Sequence, residues 1–129
     1  KKLKKLNVIQ KLEQLGEKLK MDLNNIISDN KLEQDIIFEG NNWWPRITIK
    51  KNRLNLELLQ TLLRQELISN GLFLGASLNL CLSHCEKSIF NKTLKKFEKS
   101  MNSIKKISYS KNPERFLRGK KINSVFKVR

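Results

Sequence analysis

The fold of this chain is decided by the stretch Gly71-Leu72-Phe73-Leu74-Gly75-Ala76-Ser77-Leu78-Asn79-Leu80-Cys81-Leu82-Ser83-His84-Cys85-Glu86. A helical pattern ends just before it at Asn70-Gly71, where glycine is the preferred residue past a helix end. The apolar runs at 72–74 and 80–82 predict two short strands joined by a loop. Ser83 and Glu86 have the spacing of a capping box, which predicts a further helix beginning at Ser83.

Before this stretch, apolar residues recur at three- and four-residue steps, which predicts an amphipathic first helix ending near Ser28. They are Leu3, Leu6, Ile9, Leu12, Leu15, Leu19, Leu23, Ile26 and Ile27. Four lysines crowd its start and no capping residue precedes them, so we expect the native protein to begin further upstream. Asn7 is the alternative boundary, with a helix starting at Val8.

A hairpin and a second helix connect the first helix to the deciding stretch. Residues 36–40 and 45–50 read as strands around a turn at Asn41-Asn42, with Pro45 tolerated at a strand start. Asn55 reads as the N-cap of a helix marked by leucines every three or four residues. Met21 and Met101 fall on helical apolar positions and are expected in the core.

The third helix is predicted to run to Ile107, and the pattern fades after Ser108. We therefore expect one domain over residues 1–108 and a basic C-terminal tail over residues 109–129 that packs against another part of the protein. The element order predicts an α+β fold with a small, mainly antiparallel sheet and helices on one face.

The formal net charge of +15 is unevenly distributed. Residues 21–83 carry six basic and seven acidic residues, so the excess lies in residues 1–20, 84–108 and 109–129. It is mostly lysine, which is a solvated point charge rather than a base-reading group, so solvated faces are favoured over a nucleic-acid site. No apolar run is long enough for a transmembrane helix.

The sequence contains no phosphate-binding glycine loop and no set of metal ligands. Cys81 and Cys85 read as reduced thiols, which favours a cytoplasmic location. A catalytic pair of Cys85 with His84 is weak, because adjacent residues at a helix start point in different directions.

Trp43-Trp44-Pro45-Arg46 is the most distinctive surface candidate. Two adjacent tryptophans in a turn can line a pocket or an interface, and Arg46 can hold a carboxylate with two hydrogen bonds. The structural alternative packs one tryptophan on the core and pairs Arg46 with Glu39 across the hairpin.

Four segments in order resemble the C-terminal small domain of class III pyridoxal-phosphate-dependent aminotransferases, in the glutamate-1-semialdehyde 2,1-aminomutase-like branch. They are the helix from Asn7 to Lys20, the turn Gly40 to Pro45, the stretch from Gly71 to Glu86, and the ending Lys121 to Arg129. The resemblance implies the small-domain fold of fold-type I pyridoxal-phosphate transferases, truncated at its N-terminus. The short, non-acidic segment between Ser77 and Ser83 favours an aminotransferase over the isomerase reaction of an aminomutase.

By the same resemblance, the missing large domain holds the cofactor pyridoxal phosphate, so no catalytic and no cofactor-binding residue is expected in this chain. The substrate-facing rim is expected at Trp43, Trp44, Arg46, Ser77 and Asn79. The implied partners are the large domain, a second copy in a homodimer, and a small amino-group donor or acceptor. The alternatives are a small basic nucleic-acid-binding module and a free-standing scaffold or dimerisation domain.

Overall fold

The computed structural model describes residues 7–50 and 53–122. Its helices are α1 (Val8–Asp29), α2 (Leu56–Ser69) and α3 (Lys87–Ser108), and its strands are β1 (Ile36–Glu39) and β2 (Arg46–Ile49). Two short 3₁₀ turns, Leu82–Cys85 and Pro113–Phe116, flank α3. This is the predicted α+β class, with three helices and a two-stranded antiparallel sheet in the described residues.

Helix α1 begins at the alternative boundary, because Asn7 has a left-handed φ of 49° and Val8 is the first helical residue. The predicted earlier positions Leu3 and Leu6 and the four lysines beside them lie outside the described residues. The helix ends at Asp29, as predicted from Ser28-Asp29-Asn30.

The hairpin has the predicted strands, with Ile36 paired to Ile49 and Glu39 paired to Arg46. Alternation places Ile36 and Phe38 on one face, where both are buried. The outer edge of β1 is closed by Asn24 of α1. Its side-chain amide donates to the Phe38 carbonyl at 2.9 Å, and its side-chain oxygen accepts from the Phe38 amide at 2.8 Å.

The core lies between that face of the sheet and the three helices. Phe38 meets Phe97 of α3 edge to face, with ring centroids 5.7 Å apart. Leucines of α2 and Met101 and Ile104 of α3 complete the core. Met101 is buried as predicted, whereas the prediction for Met21 is wrong: its side chain is 56% exposed, since it lies on the solvent side of α1.

The two strands predicted at 72–74 and 80–82 are wrong, because residues 72–74, 80 and 81 form no ladder of hydrogen bonds and Leu82 begins a 3₁₀ turn. The Leu72 amide donates to the Leu67 carbonyl at 2.9 Å, so it completes the end of α2 instead of pairing with a strand. Sheet-like pairing occurs between the two segments, where an isolated antiparallel bridge joins Ser77 to Arg46.

The third helix begins at Lys87 and not at Ser83, and the predicted capping box is wrong. A local hydrogen bond competes with it: the Cys81 amide donates to Nδ1 of His84 at 3.0 Å. That bond winds Leu82–Cys85 into a 3₁₀ turn, and Glu86, with extended backbone, becomes the residue before α3.

The described part of the tail, residues 109–122, packs on α2, and its expected contact with another part of the protein stays a prediction. The Gln65 side chain donates to the Phe116 carbonyl at 2.9 Å and accepts from the Arg118 amide at 2.8 Å. The Ile122 amide donates to the Thr61 hydroxyl at 2.9 Å. The ending resembling the aminotransferase branch lies mostly outside the described residues.

Among the described residues, no helix combines the length and the apolar character needed to cross a bilayer.

Candidate functional site

The turn of the hairpin, residues 40–45, presents two tryptophans to solvent. Gly40 has a φ of +87°, a left-handed conformation that glycine adopts without steric cost. The Trp44 amide then donates to the Asn41 carbonyl at 3.1 Å and closes the turn. Trp43 and Trp44 stack on one another, with ring centroids 6.4 Å apart and ring planes inclined by 14°.

Side chains of helix α1 form hydrogen bonds with this turn and hold it in place. Asn42 donates from its side chain to Glu13 at 2.9 Å, and Lys20 donates to the Gly40 carbonyl at 2.9 Å. Gly16 allows the turn to approach the helix this closely, since a Cβ at that position would lie 1.6 Å from the Asn42 carbonyl oxygen. The position of the tryptophans is therefore set by a helix and not by the loop alone.

Ser77 joins the tryptophan turn from the segment after α2. Trp44 Nε1 donates to Ser77 Oγ at 2.9 Å. Two backbone bonds flank Ser77, because the Ile47 amide donates to the Ala76 carbonyl at 3.1 Å and the Leu78 amide donates to the Pro45 carbonyl at 2.8 Å. The segment and the hairpin are thus connected on both sides of Ser77.

Arg46 lies next to these residues on the exposed face of the sheet. It is the cross-strand neighbour of Glu39, but no ion pair joins the two side chains, and Glu39 accepts instead from the Thr48 hydroxyl. Within the described ranges, the Arg46 guanidinium has neither an acidic nor an aromatic partner. The structural alternative of an Arg46–Glu39 pair is therefore wrong as an ion pair.

Asn79 does not join this group by a hydrogen bond. It is exposed, and it lines an apolar cavity of about 470 Å³ between α1, α3 and the extended segment 72–80. Ser77 lines the same cavity, so it is shared between the cavity and the tryptophan turn. We use the name rim cluster for Trp43, Trp44, Arg46 and Ser77, the four predicted residues that the structure brings together.

Sequence reasoning missed two of the polar residues that line the cavity. His84 and Thr93 line it among leucines and phenylalanines. Ile89, Phe90, Thr93 and Phe97 occur at helical spacing, which places them on one face of α3, and that spacing was the available signal. His84 was placed at a helix start rather than at a cavity wall.

The cysteines beside this cavity form no metal site with their neighbours. Cys81 Sγ lies 3.3 Å from His84 Nδ1, and both cysteines are exposed free thiols. Across the described ranges, no group of three or more cysteine, histidine or acidic residues is placed to hold a metal ion.

Comparisons with protein-family models, with curated proteins and with solved structures give no match. The function of the rim cluster and the cavity is therefore to be inferred from their geometry and from the sequence motifs.

Proposed function

We propose that this chain is the C-terminal small domain of a class III pyridoxal-phosphate-dependent aminotransferase-like enzyme. In that role it shapes the substrate side of an active-site cleft and is inactive without the large domain. The proposal includes the small-domain fold of fold-type I transferases, a homodimer of the enzyme, and a small amino-group donor or acceptor as its substrate.

The observation that carries the proposal is the convergence of the rim cluster. Trp43 and Trp44 come from a hairpin turn, and Ser77 comes from a segment more than thirty positions later. The Trp44–Ser77 hydrogen bond of 2.9 Å joins them. The resemblance implies that both segments belong to the rim, and their meeting in space supports a common role.

A second support is apolar surface that has no cover from the described residues. Phe73 is 94% exposed, and the apolar cavity opens beside it. Contiguous exposed apolar surface typically marks a contact site. A large domain seated there fits both features.

The cavity itself does not fit pyridoxal phosphate. Its lining contains no lysine to carry the cofactor and no acidic residue to pair with the pyridine nitrogen. In this proposal the large domain binds the cofactor, and we derive no reaction step from residues of this chain.

The test uses the native protein from its source cell, captured with an antibody to this domain. We expect a chain much heavier than 15.2 kDa that absorbs visible light and loses that absorbance on borohydride reduction. A colourless chain of about this mass would overturn the proposal.

The colourless outcome would lead to the two alternatives. Affinity for nucleic acid that falls steeply with salt would identify a nucleic-acid-binding module. A stable dimer without such affinity would identify a scaffold or dimerisation domain.

A further inference from the structure

The two tryptophans of the hairpin turn are unusually exposed for such large apolar side chains. Trp43 is 52% exposed and Trp44 is 44% exposed. Their rings stack in parallel, so the outer faces of the pair are available to a flat ligand. Tryptophan at this exposure is typical of binding surfaces, where the rings supply contact area at low entropic cost.

Arg46 differs from most other described arginines in lacking a partner. Arg118 pairs with Glu66 at 3.4 Å, Arg53 lies over Tyr109 at 4.2 Å, and Arg115 lies over Phe116 at 4.8 Å. In the described ranges only Arg46 and Arg64 have no such contact. A free guanidinium binds carboxylates through two parallel hydrogen bonds.

The Arg46 side chain lies along the tryptophan turn. A Cβ built on Gly40 would be 3.5 Å from Arg46 Nε and 3.7 Å from the Trp44 carbonyl oxygen. These are ordinary van der Waals distances, so Arg46 Nε lies beside the backbone of Gly40 at the start of the turn. Ser77 links Arg46 to the tryptophan pair, because it is the bridge partner of Arg46 and accepts the hydrogen bond from Trp44 Nε1 at 2.9 Å.

We propose that the rim cluster binds an aromatic carboxylic acid, with the ring against the tryptophan pair and the carboxylate on Arg46. Ser77 fixes the orientation of Trp44 through its hydroxyl. As a statement about the enzyme's amino donor or acceptor, this rests on the proposed function, whereas the binding site itself does not.

The chain carries its own reporter for this site, because Trp43 and Trp44 are its only tryptophans. The experiment titrates the 129-residue chain with phenylacetate and follows tryptophan fluorescence emission. Circular dichroism confirms that each variant keeps its helices. We expect saturable quenching by phenylacetate, little response to acetate, which lacks the ring, and weaker binding of benzyl alcohol, which lacks the charge.

Two variants separate the charge from the ring. Arg46→Met removes a charge-assisted pair of hydrogen bonds and is expected to raise the Kd for phenylacetate about tenfold, with benzyl alcohol unaffected. Arg64→Met, at the other partnerless arginine, is the matched control and is expected to leave both titrations unchanged. Ser77→Ala frees the Trp44 ring and is expected to weaken phenylacetate and benzyl alcohol alike.

Three results would overturn the inference: equal quenching by acetate and phenylacetate, no saturable quenching of folded protein, or equal effects of Arg46→Met and Arg64→Met. Selective binding of a sugar acid instead of phenylacetate would also count against the aromatic class. Failure here with a native protein that is yellow and borohydride-sensitive leaves the aminotransferase proposal intact. If phenylacetate binds to the rim cluster but the native protein is colourless, the aminotransferase proposal is overturned and the binding site stands.

Discussion

Gly16 is a residue at which the hairpin closely approaches α1. Alanine in a helix is favoured over glycine by about 1 kcal/mol, yet its Cβ here would lie 1.6 Å from a backbone carbonyl oxygen. We expect Gly16→Ala to lower the free energy of unfolding by about 2 kcal/mol or more, because a backbone neighbour cannot move aside cheaply. Urea denaturation measures it.

The control for that substitution is Gly119→Ala, since nothing lies within 4 Å of a Cβ at Gly119. Its effect on the free energy of unfolding is expected to stay within about 0.5 kcal/mol. Equal stability of the two variants would contradict the close approach of hairpin and helix.

Asn24 is the residue that closes the outer edge of the sheet. Asn24→Ala leaves the amide and the carbonyl of Phe38 without protein partners, which is expected to cost about 1–3 kcal/mol. Asn25→Ala is the matched control, because the neighbouring side chain is exposed on the same helix. Thermal unfolding of the pair measures the difference; a control as destabilised as Asn24→Ala would show that edge closure is not the cause.

At the residue scale, caps and turns were predictable where one short-range interaction decides the outcome. Asn55 accepts from the Glu57 amide at 2.9 Å, as its type and position predict. The prediction of a helix start at Ser83 was wrong because the capping pattern does not include the competing hydrogen bond from the Cys81 amide to His84. The partnership of Trp44 with Ser77 spans 33 positions, so no local rule indicated it.

At the scale of elements, the helices and the hairpin were predictable because each buries one periodic face. The segment after Gly71 was not, because an apolar run without hydrogen-bond partners has the same sequence appearance as a strand. Its bridge at Ser77 and Arg46 fixes an antiparallel register. If the same antiparallel register continued for three residues from Arg46 toward Ile49, Leu74 would lie opposite Ile49.

This half-paired segment should exchange its amide hydrogens quickly. In the described chain, the amides of Phe73, Leu74 and Gly75 donate to no backbone carbonyl, whereas the middle of α2 has the i to i−4 backbone hydrogen bonds of an α-helix. We expect exchange rates for these three residues within about tenfold of an unstructured chain, and strong protection across the middle of α2. Hydrogen exchange followed by NMR tests this, and protection at Leu74 equal to that in α2 would show that the third strand has formed.

At the scale of the whole molecule, the net charge of +15 is the feature that suggests the nucleic-acid-binding alternative. The lysines of α3 are exposed apart from the half-buried Lys105, and they point to a solvated face rather than a stacking platform. We expect a Kd weaker than about 1 μM for duplex DNA at physiological salt, the range of non-specific binding. Fluorescence anisotropy against salt measures it; tight, sequence-dependent binding would favour the alternative.

The two edges of the small sheet differ. β1 is sealed by Asn24 and by the Leu32 carbonyl, which accepts the Ile36 amide at 2.9 Å. β2 beyond its bridge to Ser77 offers the Ile49 amide without a backbone partner in the described residues. Stacking of copies into a fibre needs two free edges per molecule, so this sheet can accept a single added strand and then terminates growth.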